Sequence, residues 1–305
     1  MKPGRTGAFA IRWVVATILL VRGGLLACTD PVPGRKGAES EAASRPVEAS
    51  PPNATRGHAL LVAFRDSLPA NSGNGLRCTS CHLDAGVRPN AMPWLGTAAR
   101  YPRYRARRGS EETLEQRVNE CIARSLAGKM LPEDGRDMRD MIAYLDSLGA
   151  SPRPVGPDTV RLAGNLVHGK QTYLASCARC HGTTGDGLVA PAVYGPNSYS
   201  IGAGLARHTV FATFVRENMP FDSAGVLTPQ QAADVATYVL SLPRPDHPGK
   251  ERDWPKGDPP GDVAYATQAA RAAGKPLPAP RPVLPRRLMP SATADQPAVS
   301  RSPEP

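Results

Sequence analysis

Cys78-Thr79-Ser80-Cys81-His82 and Cys177-Ala178-Arg179-Cys180-His181 each place two thiols three residues apart, with a histidine directly after the second. Thiols at that spacing can add to the two vinyl groups of one porphyrin, and the adjoining imidazole can then bind the iron. The pattern predicts two covalently bound haem c groups, attached through Cys78, Cys81, Cys177 and Cys180, with His82 and His181 as metal ligands. Two Cys-x-x-Cys pairs could instead offer four thiolates to zinc, but zinc needs no histidine immediately after each pair. Both pairs have one, and an export signal precedes them.

A six-coordinate haem takes a second axial residue, and thioether sulfur raises its potential where thiolate lowers it. Met219, in Glu-Asn-Met-Pro, lies 38 residues after His181 and is followed by a proline that would fix the loop presenting it. It is the expected ligand of the second iron, with His208 as the alternative. In the first half, Met92 stands only ten residues after His82, too close to reach the opposite face of a ring. Cys121 stands 39 residues after His82, almost the offset that Met219 keeps from its own histidine. A lone buried cysteine is ordinarily a small hydrophobe, but an unpaired thiol is a liability in an exported chain. Cys121 is therefore the expected first-half ligand, with Met130 or an open site as alternatives.

The elements around these residues read as two helical modules. The chain has 305 residues, room for two domains, and only 5% are aromatic, so two porphyrins would make up much of the missing apolar bulk. Residues 1–28 carry Lys2, Arg5 and Arg12, an apolar stretch, and Leu25-Leu26-Ala27-Cys28, the order of a secretory signal ending in a lipoprotein-type box. Acylation of Cys28 would anchor the chain to a membrane; ordinary cleavage would leave Cys28 a spare thiol. Either route places the protein in the periplasm. Residues 29–53, rich in Pro, Ala, Ser and Glu, read as a flexible tether. Residues 54–148 form the first haem domain, 149–157 a Pro/Gly linker, and 158–265 the second haem domain with an extension, around Trp254, packed on its surface. Residues 266–305 read as a disordered Pro-rich tail. Each domain opens with one helix and closes with another, and Ala-Tyr-Leu-Asp-Ser-Leu at 143–148 is echoed by Thr-Tyr-Val-Leu-Ser-Leu at 237–242. The expected fold is thus all-α, two tandem domains of class I cytochrome c type.

The net charge of +10 fits nucleic acid, anionic lipid or a small anion equally well. Arginines crowd at Arg100, Arg103, Arg105, Arg107 and Arg108, a run that in many proteins is a solvated face.

With CTSCHLDAG, NAMPW, YPRYRARRG, RVNECIARSLAGK, CARCHGTTGDG and ENMP in order, the sequence resembles the dihaem thiosulfate dehydrogenases from about Gly57 to Trp254. The arginine-rich run followed by RVNEC is the discriminating part. The resemblance implies oxidation of two thiosulfate ions to tetrathionate, with electrons passed through both haems to an external redox acceptor and no nucleic acid bound. It implies His82 and Cys121 on the first, catalytic iron, and His181 and Met219 on the second, electron-transfer iron. It implies an anion site formed by Asn90, Arg107, Arg117 and Ser125, and a covalent adduct on Cys121 once that sulfur leaves the iron. Glu120 departs from the small residue common in the family, which puts a negative charge beside the anion site, and Asn218 stands where some members have lysine. The residues themselves are compatible: joining two dianions needs cations to offset their repulsion, and guanidinium groups grip oxyanions through paired hydrogen bonds. Two other classes remain open on sequence: a dihaem electron carrier without a substrate, and a haem subunit of a larger sulfur-oxidising complex.

Overall fold

A computed structural model describes residues 50–149 and 159–284. The signal sequence with Cys28, most of the tether, all but Gly149 of the linker and the last stretch of the tail lie outside the described residues.

The first half runs α1 (Ala54–Val62), a short α2 (Phe64–Ser67), a series of turns holding the first haem motif, a two-stranded antiparallel hairpin of β1 (Arg103–Arg105) and β2 (Ser110–Glu112), then α3 (Leu114–Ser125) and α4 (Arg136–Ser147). The second runs α5 (Leu166–Ser176), α6 (Ala178–His181) on the second motif, α7 (His208–Asn218) and α8 (Pro229–Ser241), followed by β3 (Arg244–Pro245), α9 (Gln268–Ala272) and β4 (Val283–Leu284). Helix starts follow local chemistry. Thr113 with Gln116, and Thr228 with Gln231, form reciprocal capping boxes for α3 and α8, and Pro229 occupies the first helical position of α8.

One crossing is built twice. Asn53 caps α1 with its side chain and donates its backbone N–H to Asp140 Oδ1 of α4 at 2.8 Å; Asn165 caps α5 and donates to Asp234 Oδ1 of α8 at 2.7 Å. Four residues into each opening helix a glycine meets the closing helix backbone. A Cβ on Gly57 would lie 1.8 Å from the carbonyl oxygen of Asp140, and one on Gly169 2.0 Å from that of Asp234. The apolar stripes face inward as their spacing predicts: Met138, Met141 and Leu145 of α4, and Val235 and Val239 of α8, are buried. Both halves contribute to one continuous apolar core.

The chain after α8 corrects the sequence reading. Trp254 is buried with Ile201, Val263, Ala264 and Tyr265 in a second small core, through which the extension packs. The tail expected to be disordered from 266 is ordered through 284: Thr267 caps α9, β4 pairs in parallel with β3, and Arg281 donates to the Ala206 carbonyl at 2.9 Å. A five-residue helix and a two-residue strand are too short to leave a periodic signature.

The doubled crossing yields a prediction. Gly57→Ala or Gly169→Ala adds a methyl that only backbone movement can accommodate, which outweighs alanine's helix preference. Each should destabilise the holoprotein by about 1–3 kcal/mol, seen as a lower Tm. An unchanged or raised Tm would show that the helices can separate freely.

Candidate haem centres and anion site

Two large, mostly apolar cavities open beside the two Cys-x-x-Cys-His motifs. The first, about 530 Å³, is lined by Cys78, Cys81 and His82 together with Cys121. The second, about 510 Å³, is lined by Cys177, Cys180 and His181 together with Met219. Both are of the size and character of cofactor sites. The histidines are prepared to bind a metal. Nδ1 of His82 donates to the Met92 carbonyl at 2.5 Å and Nδ1 of His181 to the Pro191 carbonyl at 2.7 Å, the same ten-residue loop in each half. A carbonyl can only accept, so the proton is held on Nδ1 and Nε2 keeps its lone pair. Burial keeps both rings neutral, with the His82 pKa pushed down to about 4 and that of His181 also lowered. The residues present fit a covalent haem in each cavity.

The candidate second ligands separate by position. Cys121 sits on α3, where Leu114, Arg117, Val118, Cys121, Ile122 and Ser125 form one helical stripe along the first cavity. Met219 caps the C-terminal end of α7 and reaches into the second. The alternatives lie elsewhere: Met130 is 64% exposed, and the His208 ring is occupied by the Ala233 carbonyl and Thr237 Oγ1 at 3.1 and 2.9 Å. Leu76, Cys81, Tyr199 and Leu205 line both cavities, so a single layer of side chains separates them.

A third cavity, about 420 Å³ and strongly basic, adjoins the first and shares Arg105, Arg117, Gly204 and Val210 with it. The hairpin brings in Arg105, Arg107 and Arg108; α3 brings in Arg117, Glu120 and Arg124. From later in the chain come Arg207, His247, Arg252 and Asp253. Pairing sorts the cations. Arg105 faces Glu112 at 3.2 Å, Arg207 faces Asp262 at 2.7 Å, Arg252 faces Glu251 at 3.6 Å, and Arg124 is held by Glu120 and by both oxygens of Asp253. Arg107, Arg108 and Arg117 have no carboxylate partner among the described residues. Electrostatic interaction with the neighbouring Cys121 raises the pKa of Arg117, against the opposing effect of burial, while burial lowers that of Arg107.

Of the predicted anion residues, the structure brings Arg107 and Arg117 into this pocket and Ser125 onto the adjoining haem cavity. Asn90 stands apart. It takes a left-handed backbone, φ 61°, donates from Nδ2 to Glu217 at 3.0 Å, and accepts at its carbonyl from Asn218 at 3.1 Å, tying the two halves together. Asn218 is thereby buried in the interface between halves. The charge of Glu120 is taken up by Arg124 at 2.5 Å; burial would raise its pKa, but Arg124 brings it below the usual carboxylate value. Sequence reasoning missed Arg124, although its place three residues after Cys121 on a helix puts it on a neighbouring face. His247, Arg252 and Asp253 carried no local signal at all.

A helical fold wrapped round two cavities, each with a Cys-x-x-Cys-His motif in its wall, defines a c-type cytochrome. Residues 69–151 match the family model "SoxA/TsdA, cytochrome c domain" and residues 164–239 match "Cytochrome C oxidase, cbb3-type, subunit III". The chain is 35% identical over 251 residues to a thiosulfate dehydrogenase of Allochromatium vinosum, covering 76% of this chain and 93% of that protein. It is 42% identical over 211 residues to one from Psychrobacter arcticus, covering 64% of each. The solved thiosulfate dehydrogenase (TsdBA) of Marichromatium purpuratum superposes with a TM-score of 0.60 at 29% identity, covering 68% of this chain and 51% of that one. The chain belongs to the thiosulfate dehydrogenase family. Its fold is all-α with two cytochrome c domains, and such domains bind haem c covalently and are typically periplasmic. Among the described residues no helix is long and apolar enough to cross a membrane.

If Cys121 and Met219 complete the two iron sites, low-temperature electron paramagnetic resonance of the oxidised holoprotein should show two unlike low-spin centres. The thiolate-type signal should vanish in Cys121→Ala while the other remains. An unchanged spectrum would refute the assignment.

Proposed function

We propose that this chain oxidises two thiosulfate ions to tetrathionate and passes the two electrons to an external cytochrome or other redox acceptor. The observation that carries the proposal is the position of α3. One helix sets Cys121 in the wall of the first haem cavity and Arg117, one turn earlier, in the wall shared with the arginine pocket. A plain electron carrier has no use for a cavity with unpaired guanidinium groups beside a thiol.

In this reading two haem c groups are bound, with His82 and Cys121 on one iron and His181 and Met219 on the other. When bound, they supply two one-electron acceptors, and the thin wall between their cavities keeps them close. Arg107 and Arg117 hold the sulfonate oxygens of thiosulfate, Arg108 adds charge at the pocket edge, and Ser125 offers a hydroxyl one turn beyond Cys121. Asn90, included among the family's anion residues, acts here by docking the His82 loop against α7. Arg100 and Arg103, exposed at the rim of the first cavity with no carboxylate partner among the described residues, fit the porphyrin carboxylates. The arginine run is thus divided between cofactor and substrate.

The sulfur chemistry runs on Cys121. Its thiolate and the sulfane sulfur of the first thiosulfate form an S–S bond, giving a Cys-S-S-sulfonate adduct and releasing two electrons. The second thiosulfate attacks the sulfane sulfur of that adduct, tetrathionate departs, and the Cys121 thiolate is regenerated. The arginines offset the repulsion between the dianions at both stages. Two further expectations belong to this reading: acylation of Cys28 would tether the protein to a membrane, and the purified chain should act without other subunits, unlike a haem subunit of a larger sulfur-oxidising complex.

Thiosulfate assayed with an artificial acceptor tests the proposal. Arg107→Ala or Arg117→Ala should lower kcat/KM about tenfold to a hundredfold, the worth of one charged hydrogen bond of about 1.5–3 kcal/mol, with both haem spectra intact. Near-normal rates at moderate ionic strength would make these arginines a solvated face. Cys121→Met should keep its haem and bind thiosulfate yet form no tetrathionate, because a thioether cannot carry the transferable sulfur. Substantial turnover by Cys121→Met would refute the covalent route.

A further inference from the structure

Residues 246–265 lie beyond both matched haem domains, yet they supply one wall of the arginine pocket through His247, Gly249, Arg252 and Asp253. The segment is joined to the site at three points. The backbone N–H of Trp254 donates to the Arg107 carbonyl at 2.8 Å, and its ring lies under the Arg107 guanidinium, 4.7 Å from carbon to ring centroid. Pro255 packs on the hairpin turn at Gly109, φ +75°, where a Cβ would sit 2.3 Å from the proline ring. Asp253 takes Arg124 through both carboxylate oxygens at 2.8 Å, and Tyr265 donates its hydroxyl to Asp253 at 2.5 Å. One short stretch therefore fixes two arginines from different elements, Arg107 on the hairpin and Arg124 on α3.

We infer that the segment 246–265 is a working wall of the anion site, in which Trp254 is the positioning residue for Arg107 and Asp253 that for Arg124. The inference rests on the function proposed above and names what orders its cations. An arginine in water samples many rotamers, and ordering it when an oxyanion arrives weakens binding. Arg107 is ordered beforehand between the face of Trp254 and the Gly202 carbonyl, to which it donates at 3.0 Å. Neither partner is a carboxylate, so its full charge stays available to the ligand. Asp253 does the opposite for Arg124. It neutralises that cation in place, so Arg124 braces Glu120 and the pocket wall instead of competing for substrate.

The test compares Trp254→Leu, Trp254→Phe and Asp253→Asn with the unaltered holoprotein. Trp254→Leu should raise the thiosulfate KM about three- to tenfold with kcat little changed and both haem potentials unmoved. It should weaken tetrathionate binding to the oxidised protein, read by calorimetry, by a similar factor. Trp254→Phe keeps an aromatic face and should recover most of both losses. Asp253→Asn removes the charge that neutralises Arg124 and should tighten tetrathionate binding rather than weaken it; weaker binding would overturn the role given to Asp253. Unchanged KM and tetrathionate affinity in haem-loaded Trp254→Leu would overturn the inference. So would losses that Trp254→Phe fails to recover and that come with shifted haem potentials, which would mark the segment as general scaffold. If the unaltered chain oxidises no thiosulfate, the proposed function fails, while the calorimetric comparison still decides whether this wall orders an anion site.

Discussion

The buried ion pair between Arg124 and Asp253 is the interaction on which the arginine pocket depends. Arg124 is a helical residue three positions after Cys121, nearly inaccessible to water, and a lone guanidinium there would carry a large desolvation penalty. Burial works against its charge, but Asp253 and Glu120 hold its pKa above the ordinary guanidinium value. The Arg124 backbone carbonyl, in turn, accepts from both the N–H and the hydroxyl of Ser200 in the second half. One residue thus links the helix of the first haem cavity, the loop of the second half and the chain beyond the second domain. Breaking such a pair from one side typically costs about 3–5 kcal/mol because a buried charge is left behind. The pocket is accordingly tied to the fold as a whole rather than hung on a surface loop.

Around that braced centre the remaining cations divide into paired and unpaired. Arg105, Arg207 and Arg252 have carboxylates nearby, whereas Arg107, Arg108 and Arg117 have none among the described residues. Like charges held together in a half-buried cavity repel, and the folded state tolerates this only because the paired arginines and both domain cores supply stability elsewhere. The Glu120 charge lines the same pocket and is offset by Arg124 at 2.5 Å, so it belongs to the brace.

The two halves share a plan and diverge at the sulfur-bearing residue that lines each cavity beside the motif, Cys121 in one and Met219 in the other. The opening and closing helices cross through the same Asn, Gly and Asp arrangement, and both histidines are fixed by a carbonyl ten residues on. The opposing side chains differ in length, and the backbone differs with them. A thiol reaches little beyond its Cβ, and α3, which carries Cys121, runs along the first cavity and lines it with a full stripe. A thioether is long and flexible, so Met219 reaches the second cavity from the end of α7. Running α3 along its cavity exposes the helix's neighbouring face, with Glu120 and Arg124, to the arginine pocket.

Two features were legible in the sequence because each is written in one short stretch of chain. The Cys-x-x-Cys-His motifs state a covalent chemistry, and the stripes of α4 and α8 and the capping box at Thr228 depend only on neighbours within a turn or two. The near-equal offsets of Cys121 and Met219 from their histidines were readable for the same reason, since a duplicated module repeats its spacings. The anion site was only half legible. Arg107 and Arg117 lie 14 and 4 residues before Cys121, but Asn90, 31 residues before it, sits at the contact between halves, where Glu217 and Asn218 hold it. Asp253 and Trp254 are more than a hundred residues from the arginines they hold, in a Pro- and Gly-rich stretch with no periodicity. Local spacing decides what a residue can do chemically; which charges are neutralised and which are left for a ligand is decided by long-range pairing, and that exists only once the chain is folded.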